Sequence, residues 1–353
     1  MARAGTTPLG RQALAAACGL LLAVAGGGAA AAGAATVGAP QLGVYKDVTL
    51  SVQADTGVWR SAVQGSVRPL AQVLRPGLAD VLYLAFAVGE CGEETWSGQP
   101  AAAAAAANVP LLAAAGQRYV LSTGGALGVF TCDSDAGLDR FIARHASPQL
   151  VGVDFDIEGA QTPAQIDALA QRIASGERRH PALQFSVTLA THAGVDAARA
   201  GLNATGRAVL QALQRHGAQR TLVNLMVMDY GPASPAVCPL RPGVQPARCD
   251  MGRAGLQAAR NVAAAHGLPL SRIALTAMVG VNDVLENVFT LDDARQLAAD
   301  ARSAGLAGVA YWSLDRDRPC EQATVVATCH TLPPSQVPQP LDFARALAQG
   351  LGR

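Results

Sequence analysis

The stretch Val153-Asp154-Phe155-Asp156-Ile157-Glu158-Gly159, "VDFDIEG" (153–159), places three carboxylates on alternate positions of an apolar run. Side chains on a strand alternate between its two faces, so Asp154, Asp156 and Glu158 point one way and Val153, Phe155 and Ile157 the other. Successive acids then stand only about 6.6 Å apart, at roughly 3.3 Å per residue. Like charges this close raise one another's pKa and cannot all ionise freely. The run nevertheless reads as a buried strand, which raises the question of what three aligned acids do there.

Outward from this run, short apolar segments alternate with amphipathic Ala/Leu/Arg stretches. Strands are predicted at 44–50, 81–88, 119–122, 150–158, 184–189, 223–228, 273–278 and 309–313. Helical patterns lie between most of them, at 164–175, 206–216, 252–266 and 291–304, and 341–351 reads as a closing helix after a Pro-rich loop. Eight strands separated by helices over about 300 residues are the size and order of a single-domain (β/α)8 TIM barrel, here from residue 43 to 353. A doubly wound open sheet is the alternative, but no Gly-rich phosphate loop follows the first strand.

Half of the 353 residues are hydrophobic, enough for a large core, and the formal charge is only +1. With no basic runs, nothing in the charge favours nucleic acid or an anionic membrane as partner. The seven-alanine run at 101–107 reads as compositional bias. Arg3 and Arg11 precede an apolar stretch and small residues through Ala35, so residues 1–36 read as a signal peptide directing export to the periplasm or beyond the cell. The competing readings are a retained anchor and lipoprotein cleavage before Cys18, which only a short apolar run precedes. No later segment is long and apolar enough to span a bilayer. The remaining Cys91, Cys132, Cys238, Cys249, Cys320 and Cys329 lack CxxC spacing; export makes disulfides the expectation, and proximity selects 91–132, 238–249 and 320–329 among fifteen pairings. The six histidines lack ligand spacing, so no metal or other cofactor is expected. Ser122 lacks the GxSxG elbow of a nucleophile.

In such barrels reacting groups sit at the C-terminal strand ends. Those ends read "LSTGG" (121–125), "DFDIEG" (154–159), "MVMDYG" (226–231), "TAMVGVND" (276–283) and "YWSLDRD" (311–317). Together they resemble family 18 glycoside hydrolases, the chitinase family, and most closely a bacterial and archaeal branch. The resemblance covers nearly all of the chain after the leader. It implies that Glu158 protonates the glycosidic oxygen, as the last acid of the family's DxxDxDxE motif. Asp156 would hold the substrate's N-acetyl group, whose oxygen is the nucleophile, so no protein carboxylate is needed for attack. Asp154 would share a proton with Asp156 and so raise Glu158. The motif's first Asp falls on Val151.

By the same resemblance Trp312 forms the apolar floor under the sugar. Tyr230 would donate to the N-acetyl oxygen with Asp229 beside it, although the family's Met-x-Tyr-Asp is spelled Met226-Val227-Met228-Asp229-Tyr230 here, two positions out of step. Met278 and Asp283 would line the cavity, and Ser122, Gly124 and Gly125 match a block in which glycine lets backbone approach the acids. Trp59 and Trp96 fit outer sugar platforms or the core equally well. The implied partner is chitin or N-acetylglucosamine oligosaccharides, bound by a monomer. With aromatics at 4%, soluble oligomers are expected over crystalline chitin. Alternatives are an endo-β-N-acetylglucosaminidase on N-glycans, or a non-catalytic lectin, a class that typically loses the final glutamate retained here as Glu158.

Overall fold

Parallel pairing joins eight strands into a closed ring. They are β1 (Gln41–Asp47), β2 (Val81–Glu90), β3 (Tyr119–Gly124), β4 (Leu150–Asp156), β5 (Gln184–His192), β6 (Leu222–Met226), β7 (Ile273–Met278) and β8 (Gly308–Trp312). Each pairs with the next, and β1 pairs with both β2 and β8, which closes the barrel. This computed structural model describes residues 39–73, 78–195, 201–320 and 324–353. The expected signal peptide at 1–36, with Cys18, lies outside the described residues.

The helices α1 (Ala101–Ala114), α2 (Asp135–Arg144), α3 (Pro163–Arg179), α4 (Ala204–His216), α5 (Met251–His266), α6 (Leu291–Ala304) and α7 (Asp342–Gly350) follow the strands from β2 onward. Local chemistry starts and stops them. Thr162 with Gln165, and Thr290 with Asp293, form capping boxes at α3 and α6, while Gly217, Gly267 and Gly305 end α4, α5 and α6 in left-handed geometry. The seven-alanine run is the first half of α1, where the residue with the highest helix propensity packs Ala104 and Ala105 inward. Among the described residues no helix is long and apolar enough to cross a membrane.

Because both faces of a parallel sheet are covered, β4 buries every residue from Gly152 to Asp156 on both faces. Phe155, on its outer face, stacks on Phe185 at 6.3 Å beneath the helices. Trp59 and Trp96 belong to the core: they are 1% and 0% exposed with ring centroids 5.4 Å apart, so neither is a sugar platform. The three expected disulfides are present, Cys91–Cys132, Cys238–Cys249 and Cys320–Cys329. All join segments that leave the C-terminal ends of strands: β2 with β3, the β6–α5 connection, and the β8–α7 connection. The only metal-like cluster among the described residues, Glu90 with Cys91 and Cys132, has its sulfurs in a disulfide.

Candidate active site

Register dictates what surrounds the acids. On β3, Ser122 lies opposite Asp154 and Gly124 opposite Asp156; on β5, Ser186 and Thr188 take the corresponding places. Asp154 is fully buried and accepts four hydroxyl bonds, from Ser122 (2.8 Å), Ser186 (2.6 Å), Thr188 (2.8 Å) and Tyr45 (3.0 Å). Burial raises its carboxyl above the ordinary range, and these four bonds recover only part of that shift. A carboxylate has about four lone-pair sites, so the hydroxyls occupy Asp154 completely. No hydrogen bond joins it to Asp156.

Asp156, 4% exposed, is in the opposite situation: its Oδ1 is buried with no hydrogen-bond partner among the described residues. Burial, then Glu158, then Asp154 hold its carboxyl well above the ordinary carboxylate range. β4 ends at Asp156, and Glu158 stands two residues beyond it, exposed at the mouth. Its carboxyl borders the cleft, where burial and then the charge of Asp229 push it up.

The cleft encloses about 620 Å³ of space open to solvent. Asp156, Glu158, Asp229 and Asp283 supply its acids. Its apolar wall is Trp312, stacked on Phe86 at 5.6 Å, with Tyr45 tilted against Trp312 at 6.1 Å. Met226, Met228, Met278, Thr188, Thr276 and Ala126 complete it. The backbone beneath the acids is held close by glycine: Gly125 N–H donates to the Asp156 carbonyl at 3.2 Å, and a Cβ on Gly125 would meet the Phe86 ring at 2.7 Å.

Seven of the eight expected site residues therefore converge, Asp154 as the cleft's buried support and the other six on its wall. Tyr230 does not join them. Asp229 has a left-handed φ of 49°, which turns the chain as it leaves β6. The turn is clamped by Asn282, which accepts from Asp229 N–H (3.3 Å), and by Asn287, which accepts from Tyr230 N–H (2.6 Å). Tyr230 is thereby carried into the core, 2% exposed, its hydroxyl without a partner among the described residues. Met228, two positions earlier, faces the cleft instead. Residues the sequence reading passed over are Tyr45, Phe86, Thr188, Thr276, Met226 and Met228. Phe86 alone carried a signal, an aromatic near the end of a predicted strand.

No protein-family model matches the chain. It is 30% identical over 236 residues to a probable bifunctional chitinase/lysozyme of Escherichia coli, an alignment covering 60% of this chain and 24% of that protein. It is 31% identical over 236 residues to endochitinase 11 of Metarhizium anisopliae, covering 60% and 42% respectively. The chain thus spans less than half the length of either relative. The catalytic domain of a hyperthermophilic chitinase from Pyrococcus furiosus superposes with a TM-score of 0.67 at 22% identity, over 89% of this chain and 95% of that one. Human YKL-39, described as a pseudo-chitinase with retained chitooligosaccharide binding, superposes with a TM-score of 0.54 at 12% identity, covering 89% and 100%. The chain is thus similar in sequence to chitinases over 60% of its length, and its closed (β/α)8 barrel is the fold of the Pyrococcus furiosus chitinase domain.

Proposed function

We propose that the protein is an exported chitinase-type glycoside hydrolase that cleaves β-1,4 linkages between N-acetylglucosamine units, with the substrate's own acetamido group as nucleophile. The observation that carries this reading is the pairing of Glu158 at the mouth with an unsatisfied, buried Asp156 oxygen behind it. A bound acetamido N–H would supply the partner that Asp156 Oδ1 lacks, and would bring the acetamido oxygen toward the anomeric carbon. Glu158, whose carboxyl burial and the charge of Asp229 both push up, gives its proton to the leaving oxygen. Water then opens the cyclic intermediate as Glu158 takes a proton back. The Trp312–Phe86 wall suits the C–H face of a pyranose. Three disulfides are in keeping with an oxidising compartment.

Two inversions at one carbon leave the β configuration. Proton NMR of fresh product from N,N′,N″,N‴-tetraacetylchitotetraose is expected to show the β anomer first, with cellotetraose, which lacks the acetamido group, uncut. Glu158→Gln is expected to lower kcat by about 10²–10⁴-fold while oligosaccharide binding survives. Initial α anomer, or a Glu158→Gln variant with wild-type kcat, would refute the mechanism.

A further inference from the structure

Behind the acids the hydrogen bonds form a branched array that runs in one direction. On β6, Asn224 is 4% exposed and points into the barrel. Its carbonyl oxygen accepts from the Thr276 hydroxyl of β7 (3.0 Å). With that side of the amide taken, its NH₂ donates to both Tyr45 Oη (3.0 Å) and Thr188 Oγ1 (2.9 Å). Each hydroxyl thus has a lone pair filled by Asn224 and one hydrogen left to give, and each gives it to Asp154. Without the amide, Tyr45 and Thr188, 3.2 Å apart, could bond to one another, and one of them would abandon Asp154.

We propose that Asn224 is a positioning residue that, through Tyr45 and Thr188, holds Asp154 as a fixed anion, so that the proton of the acidic strand resides on Asp156 and Glu158 and is never parked on Asp154. The catalytic consequence rests on the hydrolase reading of the site; the charge state of Asp154 does not. The titratable groups facing Asp154 are Tyr45 from β1, Tyr83 from β2 and Asp156 on its own strand. From β3 and β5 it meets only the neutral hydroxyls of Ser122, Ser186 and Thr188. No basic group reaches it, so its negative charge depends on donated hydrogens alone. A charged Asp154 disfavours a second charge on Asp156, which keeps Asp156 protonated beside the bound acetamido group.

The test needs no substrate. In protein carrying ¹³C-labelled aspartate, the Asp154 carboxyl signal, assigned by its loss in Asp154→Asn, is followed by pH titration in wild type, Asn224→Ala and Thr276→Val. Losing one hydrogen bond to a charged group should raise the midpoint by about one pH unit in Asn224→Ala. Thr276→Val keeps the volume but frees the amide to turn its oxygen toward Tyr45 and Thr188, and should move the midpoint the same way. It serves as the second variant if Asn224→Ala does not fold. In the chito-oligosaccharide assay of Asn224→Ala, whose side chain does not line the cleft, the acidic limb of kcat should rise with the midpoint while KM changes little. An Asp154 midpoint that stays at the wild-type value in a folded variant overturns the proposal. Absence of hydrolysis by the wild type, with the carboxyl midpoint still shifted, would instead refute the hydrolase reading alone.

Discussion

Gly124 offers a way to disturb the acids without touching any of them. It lies opposite Asp156 on the neighbouring strand, with φ at +86°, and a Cβ built there would stand 2.1 Å from the Asp156 carbonyl oxygen. Real Cβ atoms essentially never come within 3.0 Å of such an atom, so β3 and β4 must part by 3.0 − 2.1 = 0.9 Å at the acids. The neighbour is backbone and cannot swing aside. Left-handed geometry costs a residue with a Cβ roughly 1–2 kcal/mol. Weakening the Gly125 N–H bond to the same carbonyl adds about 1 kcal/mol. Gly124→Ala is thus expected to lose roughly 2–3 kcal/mol, a fall in Tm of about 5 °C for a chain of this size. A displacement near 1 Å at reacting groups costs about 10²-fold in rate. Gly217→Ala separates the two effects: φ is +74° there, at the exposed end of α4, and nothing lies within 4 Å of the added methyl. It should lose about 1 kcal/mol with kcat unchanged. Calorimetry and kcat on a chito-oligosaccharide for both variants decide the matter. A Gly124→Ala protein with kcat within twofold of wild type would refute the link between this close approach and the placement of Asp156 and Glu158.

Two further outcomes follow from the same geometry. Tyr230→Phe should leave kcat within about twofold of wild type and raise Tm, because the lost hydroxyl is buried and unpartnered, an arrangement that costs about 1–3 kcal/mol; a large loss of kcat measured on chito-oligosaccharide would restore the tyrosine to the chemistry. Asp229→Asn removes a negative charge that helps to raise Glu158, so the glutamate should lose its proton at lower pH. Since the acid must be protonated to act, the alkaline limb of kcat/KM should move to lower pH, and an unmoved limb in the pH profile would count against the assignment.

Much of the barrel was readable because its strands and helices obey local rules. The eight apolar runs lie where the eight strands form, and β7 agrees to the residue. The first strand is displaced, since the predicted 44–50 spans the end of β1 and a short 3₁₀ turn that Asp47 caps by accepting from Thr49 N–H. The helix at 101–114 was hidden by reading its alanines as bias rather than propensity. Asp154, Asp156 and Trp312 were legible from alternation and strand ends. Glu158 stands beyond the strand, although alternation alone would keep it inside. Tyr230 was misplaced because its orientation depends on the backbone turn at Asp229 and on two asparagines more than fifty residues away. The support of Asp154 was legible only at Ser122: Tyr45, Ser186, Thr188 and Asn224 read locally as ordinary strand residues, and only barrel closure brings them together.

The disulfides bear on where this protein can work. All three fasten segments on the mouth side of the barrel, and none ties a helix to a strand or one helix to another. The Cys91–Cys132 link, between residues 41 apart in sequence, also bridges the connections that follow β2 and β3. The strand ring and the helix layer therefore hold together by burial and hydrogen bonds without covalent links, whereas disulfides fasten the outline of the cleft. Reduction would release these segments while breaking no covalent link in the strand ring or the helix layer, so the outline of the cleft, and not the barrel, is the part of the molecule exposed to the redox state of its surroundings.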